Sequence, residues 1–389
     1  MPWKEKNVMD LRTEFITKSL TNSQSFISLC KEYGISTKTG YKWKKRYHQN
    51  GISGLYDQSR KPKSSPNKLN EDVLCELIRL KNAHPRWGPA KIRRLYSDNN
   101  NGYSAASESS VKRIFDKAGL VKKRRRRKAK PSTRIVNDIA VKEPNSLWTV
   151  DFKGNWYSTD NERIEPLTVR DAYSCYVLCS QILANSQAET VKECFKRLFE
   201  QYGLPAAIHS DNGTPFATAN AILGLSSLSA WWLSLGIKLN RSRPGKPQDN
   251  SAHERMHSDI AQAVEYVSKG NLLTQQNELE MWRKEFNEIR PHEFLGMAKP
   301  KEFYKKSDRV YDGDDFEIEY PAGYSRRLVN KTGHIKISSK PFFVSTALSG
   351  YYVGLQPCKN NYYLLWFNDL YIGEIDVAAR KIIPTQQKK

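Results

Sequence analysis

Apolar residues recur with two different periods along the chain, and the change falls near residue 141. Before it the spacing is helical. Within Leu29–Tyr47 one helix runs to the turn Gly34-Ile35-Ser36 and a second follows. Ser36 or Thr37 can cap that second helix by accepting from its orphan amides, and Gly34 supplies the positive φ that closes the first. After a polar, proline-containing linker around 59–66, Val73, Leu77 and Leu80 repeat at helical intervals. Trp87-Gly88-Pro89 opens a further helix with proline in its first turn, and Val111, Ile114 and Phe115 mark another that stops at Gly119. Beyond 141, strands are predicted over Ser146–Trp156, Ile164–Val169, Tyr176–Leu183, Ala206–Ser210 and Ile237–Arg241. Helices are predicted over Gln187–Tyr202 and Ser251–Ser268. That order describes an α/β layered core. An acidic connector (Asp312, Asp314, Asp315) then leads to short strands at Lys336–Ser338, Phe342–Ser345, Tyr351–Leu355, Tyr362–Phe367 and Tyr371–Ile375, the pattern of a small antiparallel barrel. The chain is therefore read as multidomain: an all-α front of two helix-turn-helix modules (1–58 and 69–121), a linker at 122–140, an α/β core at 141–306 and an all-β barrel at 320–389.

Charge sharpens the reading of the front end. The formal charge is +22, and residues 1–145 hold 33 Lys and Arg against 13 Asp and Glu. Almost all the excess lies there. A polyanion partner fits, because neutralised phosphates release condensed counterions. The second helix of the first module presents Lys38, Lys42, Lys45 and Arg46 with Tyr41 and Trp43 interleaved, the layout of a helix that enters a major groove. The block Lys122–Lys128, with Arg124, Arg125, Arg126 and Arg127, reads as a phosphate-tracking or minor-groove arm. Double-stranded DNA is the expected partner. Six cysteines show no C-x-x-C spacing, which suits a reducing cytosol, and Cys175 and Cys179 are expected on one side of a strand. The N-terminus has no signal-like apolar core. The uncharged stretch Asn212–Ile237 carries Asn220, Ser226, Ser227, Ser229 and Ser234, too polar to span a bilayer; a buried helix is expected and no membrane partner.

Three acids stand in unusual settings. Asp151 lies inside the apolar run Trp148–Phe152, and Asp211 ends a strand at His209-Ser210-Asp211-Asn212-Gly213. Glu254 falls early in the helix after Pro244-Gly245-Lys246-Pro247, pointing away from the stripe Met256, Ile260, Ala263, Val267. A carboxylate within a strand costs free energy unless it is paired or metal-bound, and several brought together are neutralised by a divalent cation. Taken singly they read as a strand-end hydrogen-bonder, a turn former and a solvated helix carboxylate. Lys246, His253 and Arg255 flank the third acid, within reach of phosphates or simply on the surface. The same helix spells His253-Glu254-x-x-His257, the ligand spacing of a zinc metallopeptidase, with Glu278 or Glu280 as a third ligand.

The Trp148–Asp151, His209–Gly213 and Pro244–His257 segments resemble the three motifs of the retroviral-integrase superfamily, and more closely those of bacterial insertion-sequence transposases with an integrase core. Asn287, Arg290-Pro291-His292 and Pro300–Tyr304 resemble the segment that closes that core. The resemblance covers 141–306, and the tandem helix-turn-helix front is typical of the group. It implies an RNase H-like fold and an Asp-Asp-Glu triad at Asp151, Asp211 and Glu254 holding Mg²⁺ or Mn²⁺, two ions per site. It also implies cleavage and strand transfer between transposon ends and target DNA, a dimer or larger assembly on DNA, and a cytoplasmic place at the bacterial nucleoid. The second and third acids are 43 positions apart, wider than in many relatives. Leu223–Leu235 reads as the extension, a longer helix, and Asp249 as the alternative third acid. The other functional classes are an inactive DNA-binding regulator and the zinc peptidase.

Overall fold

The computed structural model describes residues 7–21, 24–59, 69–104, 106–121, 139–218, 221–243, 250–267, 269–313, 318–358 and 362–385. Two compact units divide at Lys68. In the first, α1 (Val8–Leu20), α2 (Phe26–Glu32) and α3 (Thr37–Asn50) close around Phe15, Ile16, Leu29, Cys30, Trp43 and Leu55. Ser36 caps α3, its hydroxyl accepting from Thr39 N at 3.2 Å, and Gly34 takes φ +63. Gly40 has to be glycine for another reason: a Cβ there would lie 2.6 Å from Cys30 Sγ, so α2 and α3 touch through it. The interleaved aromatics divide in role. Trp43 is buried under the Arg12 guanidinium, whereas Tyr41 is 60% exposed.

The second unit begins with α4 (Glu71–Ala83), α5 (Pro89–Asn99) and α6 (Glu108–Lys117), packed through Leu77, Leu80, Trp87, Ile92, Val111 and Phe115. These helices dock on the domain that follows, through His84 to Glu285 at 3.0 Å and Lys299 to Asp98 at 2.9 Å.

That domain runs β1 (Trp148–Phe152), β2 (Trp156–Tyr157), β3 (Arg163–Ile164), β4 (Pro166–Asp171), β5 (Val177–Ile182), α7 (Ala188–Tyr202), β6 (Ala207–Ser210), α8 (Ser227–Ser234), β7 (Lys238–Arg241), α9 (Ser251–Ile260), α10 (Leu272–Lys284) and α11 (Pro300–Phe303). The main sheet has the order β5-β4-β1-β6-β7; β4 and β5 run as antiparallel neighbours, and β1, β6 and β7 are parallel. This strand order and mixed pairing are those of the RNase H-like core expected from the sequence. Alternation along the strands separates two cores: Trp148, Val150 and Leu178 meet Phe195, Phe199 and Trp232, while Val177 meets Met256, Ile260, Leu279 and Trp282 on the other face.

Three expectations need correction. The uncharged stretch is not one long helix: only Ser227–Ser234 is α-helical, with a short 3₁₀ turn at Ile222–Gly224. From Leu228 to Ser234 every residue of α8 is buried, because Trp231 and Trp232 pack on the sheet core while Ala230 and Leu233 pack on the C-terminal β domain. A helix covered all round needs no charge. Cys175 and Cys179 do not share a strand; Cys175 sits at φ +62 in the turn before β5, and Cys179 faces Cys194 with Sγ atoms 3.8 Å apart.

The barrel is not closed. β8 (Ser325–Leu328), β11 (Tyr352–Pro357), β12 (Tyr362–Phe367), β13 (Leu370–Asp376) and β14 (Lys381–Pro384) form an open antiparallel sheet, order β14-β13-β12-β11-β8. A separate hairpin of β9 (His334–Ile337) and β10 (Lys340–Phe343) stands beside its two edge strands. Side chains do what hydrogen bonds would do in a barrel: Ile335, Ile337 and Phe342 fill the interior, and Ala230 and Leu233 of α8 join them. Asn368 fixes the junction by donating to Leu233 O at 2.8 Å. Among the described residues no helix is long and apolar enough to cross a membrane.

Candidate active site

Parallel pairing of β1 with β6, in the register Trp148↔Ile208 and Thr149↔His209, carries the two strands forward side by side. Asp151 lies in β1 and Asp211 just past the end of β6, so both acids leave the same edge of the sheet. Asp211 accepts from Gly213 N at 3.1 Å, and Asn212 ties the loop to β7 by donating to Ser242 O at 2.7 Å. The third motif arrives on α9. Asn250, its cap, donates to Asp151 Oδ2 at 3.1 Å, and Glu254 follows one turn later, exposed, on the same side of the helix.

The electrostatics couple the three. Burial pushes the Asp151 carboxyl up to about 7; the Asp211 carboxylate drives it the same way and Glu254 adds to the rise, against hydrogen bonds from the Phe152 amide and Asn250. One half-buried carboxylate thus faces two others. As they stand, no three His, Cys, Asp or Glu side chains among the described residues close tightly enough to hold an ion. The donors are nevertheless all oxygen and carry an excess of negative charge, a set suited to Mg²⁺ or Mn²⁺ and poorly suited to zinc.

α9 is fastened by its histidines. His253 is completely buried, with Nδ1 2.9 Å from Thr149 Oγ1 and Nε2 2.7 Å from Thr168 Oγ1. His257 Nε2 also reaches Thr168 Oγ1, at 2.8 Å. That hydroxyl donates its single proton to Asp151 O at 2.9 Å, so both imidazoles must donate Nε2–H to it. His253 Nδ1 then accepts from Thr149. Both rings are neutral, since burial pulls His253 well down and His257 to about 4. Farther along, Lys153 pairs with Glu265 and lies over the Trp156 ring.

This corrects the zinc pattern. The Nε2 atoms of His253 and His257 are spent on Thr168, Glu254 is exposed to solvent, and Glu280 is forked onto Arg283 at 2.7 and 2.8 Å. It also removes His253 as a phosphate contact. Arg255 is exposed on α9, and Lys38, Lys42 and Lys45 are exposed on α3. Arg46 is half-buried, donating to Gln58 at 3.2 Å. Lys246, Asp249 and Arg124, Arg125, Arg126 and Arg127 lie outside the described residues. Sequence reasoning missed Asn250 and Thr168. Thr168 had a signal: it is a hydroxyl in the otherwise apolar run Pro166–Val169. Asn287, by contrast, clamps Val177 through both N (2.8 Å) and O (2.9 Å), tying the closing segment to β5.

Gly213 offers a direct probe. A Cβ there would meet Asp211 Oδ2 at 2.9 Å. If Asp211 serves the DNA cleavage that the sequence leads one to expect, Gly213→Ala should leave the thermal midpoint within a few degrees of wild type while cutting that activity by about a hundredfold, the scale of effect of a small misplacement at a reacting centre. Full cleavage activity in this variant would mean that the Asp211 turn does not matter.

The Integrase core domain family matches residues 141–247 and, in a second form, 235–300; a Helix-turn-helix domain family matches 12–63 and a Homeodomain-like domain family 39–115. The chain is 24% identical over 250 residues to the insertion element IS407 31.7 kDa protein of Burkholderia multivorans, covering 64% of this chain and 86% of that one. It is 24% identical over 271 residues to the insertion element IS476 39.2 kDa protein of Xanthomonas euvesicatoria (65% and 70%). It is also 31% identical over 99 residues to the transposase for transposon Tn552 of Staphylococcus aureus (25% and 20%). Among solved structures, the catalytic core domain of BIV integrase aligns with 41% of this chain and 93% of its own at 23% identity and TM-score 0.31. The matches place an integrase core domain behind a helix-turn-helix front, and they make this chain similar to insertion-element proteins and to a transposase.

Proposed function

We propose that this transposase cuts and joins DNA at the ends of its mobile element with Asp151, Asp211 and Glu254. The observation that carries the reading is the Asp151 carboxyl, raised to about 7 by burial together with Asp211 and Glu254. Three acids aimed at one another are unfavourable alone and become favourable around cations. Asp151, Asp211 and Glu254 would hold Mg²⁺ or Mn²⁺, two ions per site, which when bound supply charge neutralisation and polarisation of a phosphodiester oxygen. The chain's own groups do the positioning: Asn250 orients Asp151, the Gly213 amide orients Asp211, and the Thr168 hub holds α9 so that Glu254 faces both. Lys38, Lys42 and Lys45 on α3 are assigned to phosphate and groove contacts at the element end, with Arg46, Arg255, Lys246 and the 124–127 arginines in support. Two protomers hold two ends, so that cleavage at one is coupled to the other. Water attacks a phosphodiester at the element end and the P–O3′ bond breaks, freeing a 3′-hydroxyl; that hydroxyl then attacks a target phosphodiester, forming the new P–O bond as the target's own 3′-oxygen leaves.

Asp211→Asn tests the division of labour. With a duplex carrying the element end and Mg²⁺, cleavage is expected to be lost while the protected footprint stays that of wild type. Wild-type protein that protects the end but never nicks it would instead identify a DNA-binding regulator. Restoration of activity by zinc, but not by Mg²⁺ or Mn²⁺, would contradict the reading outright.

A further inference from the structure

We propose that the pocket between α5 and α9 binds a backbone phosphate of the DNA on which this enzyme acts, bridging the second helical module and the catalytic domain. The pocket measures about 530 Å³ and is walled by Lys91 of α5, Arg170 of β4, Arg255 of α9 and Arg290. The acids lining the pocket are Asp259 and Glu293, and the buried Asp171 lies beside Arg170 behind the wall. Arg290 is partly answered by Asp259 at 2.8 Å, which leaves the pocket with surplus positive charge. The floor is the informative part. Arg170 is only 8% exposed, and its Nε has no hydrogen-bond acceptor; Arg290 Nε is buried without one as well. Both Nε atoms are sealed from solvent, and guanidinium N–H groups left without acceptors are costly, so these two cations are incompletely answered by the protein and a nearby anion would stabilise them.

Lys91 carries the same message. Burial depresses its pKa and the neighbouring Arg290 depresses it further, with Asp259 and Glu293 only partly offsetting this, so the fold alone gains little from a cation there. The ligand is assigned as a DNA phosphate because the pocket is built on the same helix that carries Glu254. Ser251 and Arg255, on the first turns of α9, form one wall, and Glu254 lies between them in sequence but off that wall. Phe294, 79% exposed at the rim, offers a face for a neighbouring base. This inference rests on the chain being a DNA-handling enzyme but not on its chemistry.

The test uses full-length protein in chelator, where no cleavage occurs. Inorganic phosphate, exchanged for chloride at constant ionic strength, is expected to raise the thermal midpoint of wild type by a few degrees. Lys91→Gln and Arg255→Gln are each expected to lose that rise. Lys91→Gln without phosphate is expected to melt at or above wild type, whereas a merely structural lysine would melt lower. On duplex DNA, Lys91→Gln is expected to bind about fivefold to tenfold more weakly, with the slope of log affinity on log salt shallower by about one. No phosphate effect in wild type, or one retained by both variants, overturns the site. A phosphate effect lost in the variants with DNA affinity and salt slope unchanged overturns the DNA assignment in favour of a free phosphate or nucleotide. Loss of cleavage in the Mg²⁺ assay leaves both measurements intact, so the two readings fail separately.

Discussion

Asp151→Asn is expected to abolish cleavage and strand transfer, by at least about a thousandfold, and at the same time to make the metal-free protein more stable. On the proposed chemistry, the first effect follows from removing an oxygen ligand from a site that would neutralise and polarise phosphate, an effect worth several kcal/mol. The second follows from linkage. The carboxyl titrates near 7 in the folded protein, against 3.8 as its ordinary value. A carboxyl whose folded pKa is raised opposes folding once it ionises. The opposition is absent below about pH 4, grows as pH rises between 4 and 7, and is complete above 7. At 1.36 kcal/mol per unit, its full size is about 4 kcal/mol. Asparagine never ionises, so the variant's gain in urea-unfolding free energy should be near zero at pH 4 and several kcal/mol at pH 8. The buried neutral histidines work in the opposite direction, costing stability as pH falls below 6.5, but they are common to both proteins and cancel in the difference. Mg²⁺ should narrow the gap by stabilising wild type alone. Equal stability of the two proteins at pH 8 without metal would show that the three acids do not crowd one another.

Much of this was legible in the linear chain, and the exceptions have a common origin. The Ser36 cap, the Gly34 and Gly119 stops, the strands around Asp151 and Asp211 and the placement of Glu254 off its helix's apolar side are local properties, set within a turn or two of sequence. What escaped depends on partners far away. The shortness and neutrality of α8 make sense only because two domains bury it from opposite sides. Barrel closure failed as an expectation because β8 and β14 remain edges while α8 and a hairpin supply the missing wall; moreover β8, Ser-Arg-Arg-Leu, lacks the apolar alternation that would mark a strand. The zinc pattern was real as spacing and wrong as chemistry. Histidines at i and i+4 on one face can converge on a metal or on a threonine from another strand, and only the fold distinguishes the two. In α10 the stripe Leu272, Gln275, Leu279 and Trp282, continued by Phe286 in the turn after it, had helical spacing throughout and could have been read.

Thr168→Val is expected to be the most destabilising single change near the site. One hydroxyl serves three buried partners: it donates to Asp151 O and accepts from the Nε2–H groups of His253 and His257. Valine matches its shape but answers none of them. Each buried polar group left unpaired costs about 1–3 kcal/mol, and with partial relaxation the sum should come to about 3–5 kcal/mol. Urea unfolding at pH 7.5 measures it. Activity should fall too, because the same bonds hold α9 against β1 and β4 and so fix where Glu254 meets Asp151 and Asp211; a loss of about a hundredfold fits a displacement of the third acid. Thr168→Ser keeps the hydroxyl and should restore most of both. That rescue separates the hub from mere packing, since serine fills the space less well than valine yet is expected to do better. If valine proved as stable as threonine, the histidines would have to find other acceptors, and the anchoring of α9 through Thr168 would be refuted.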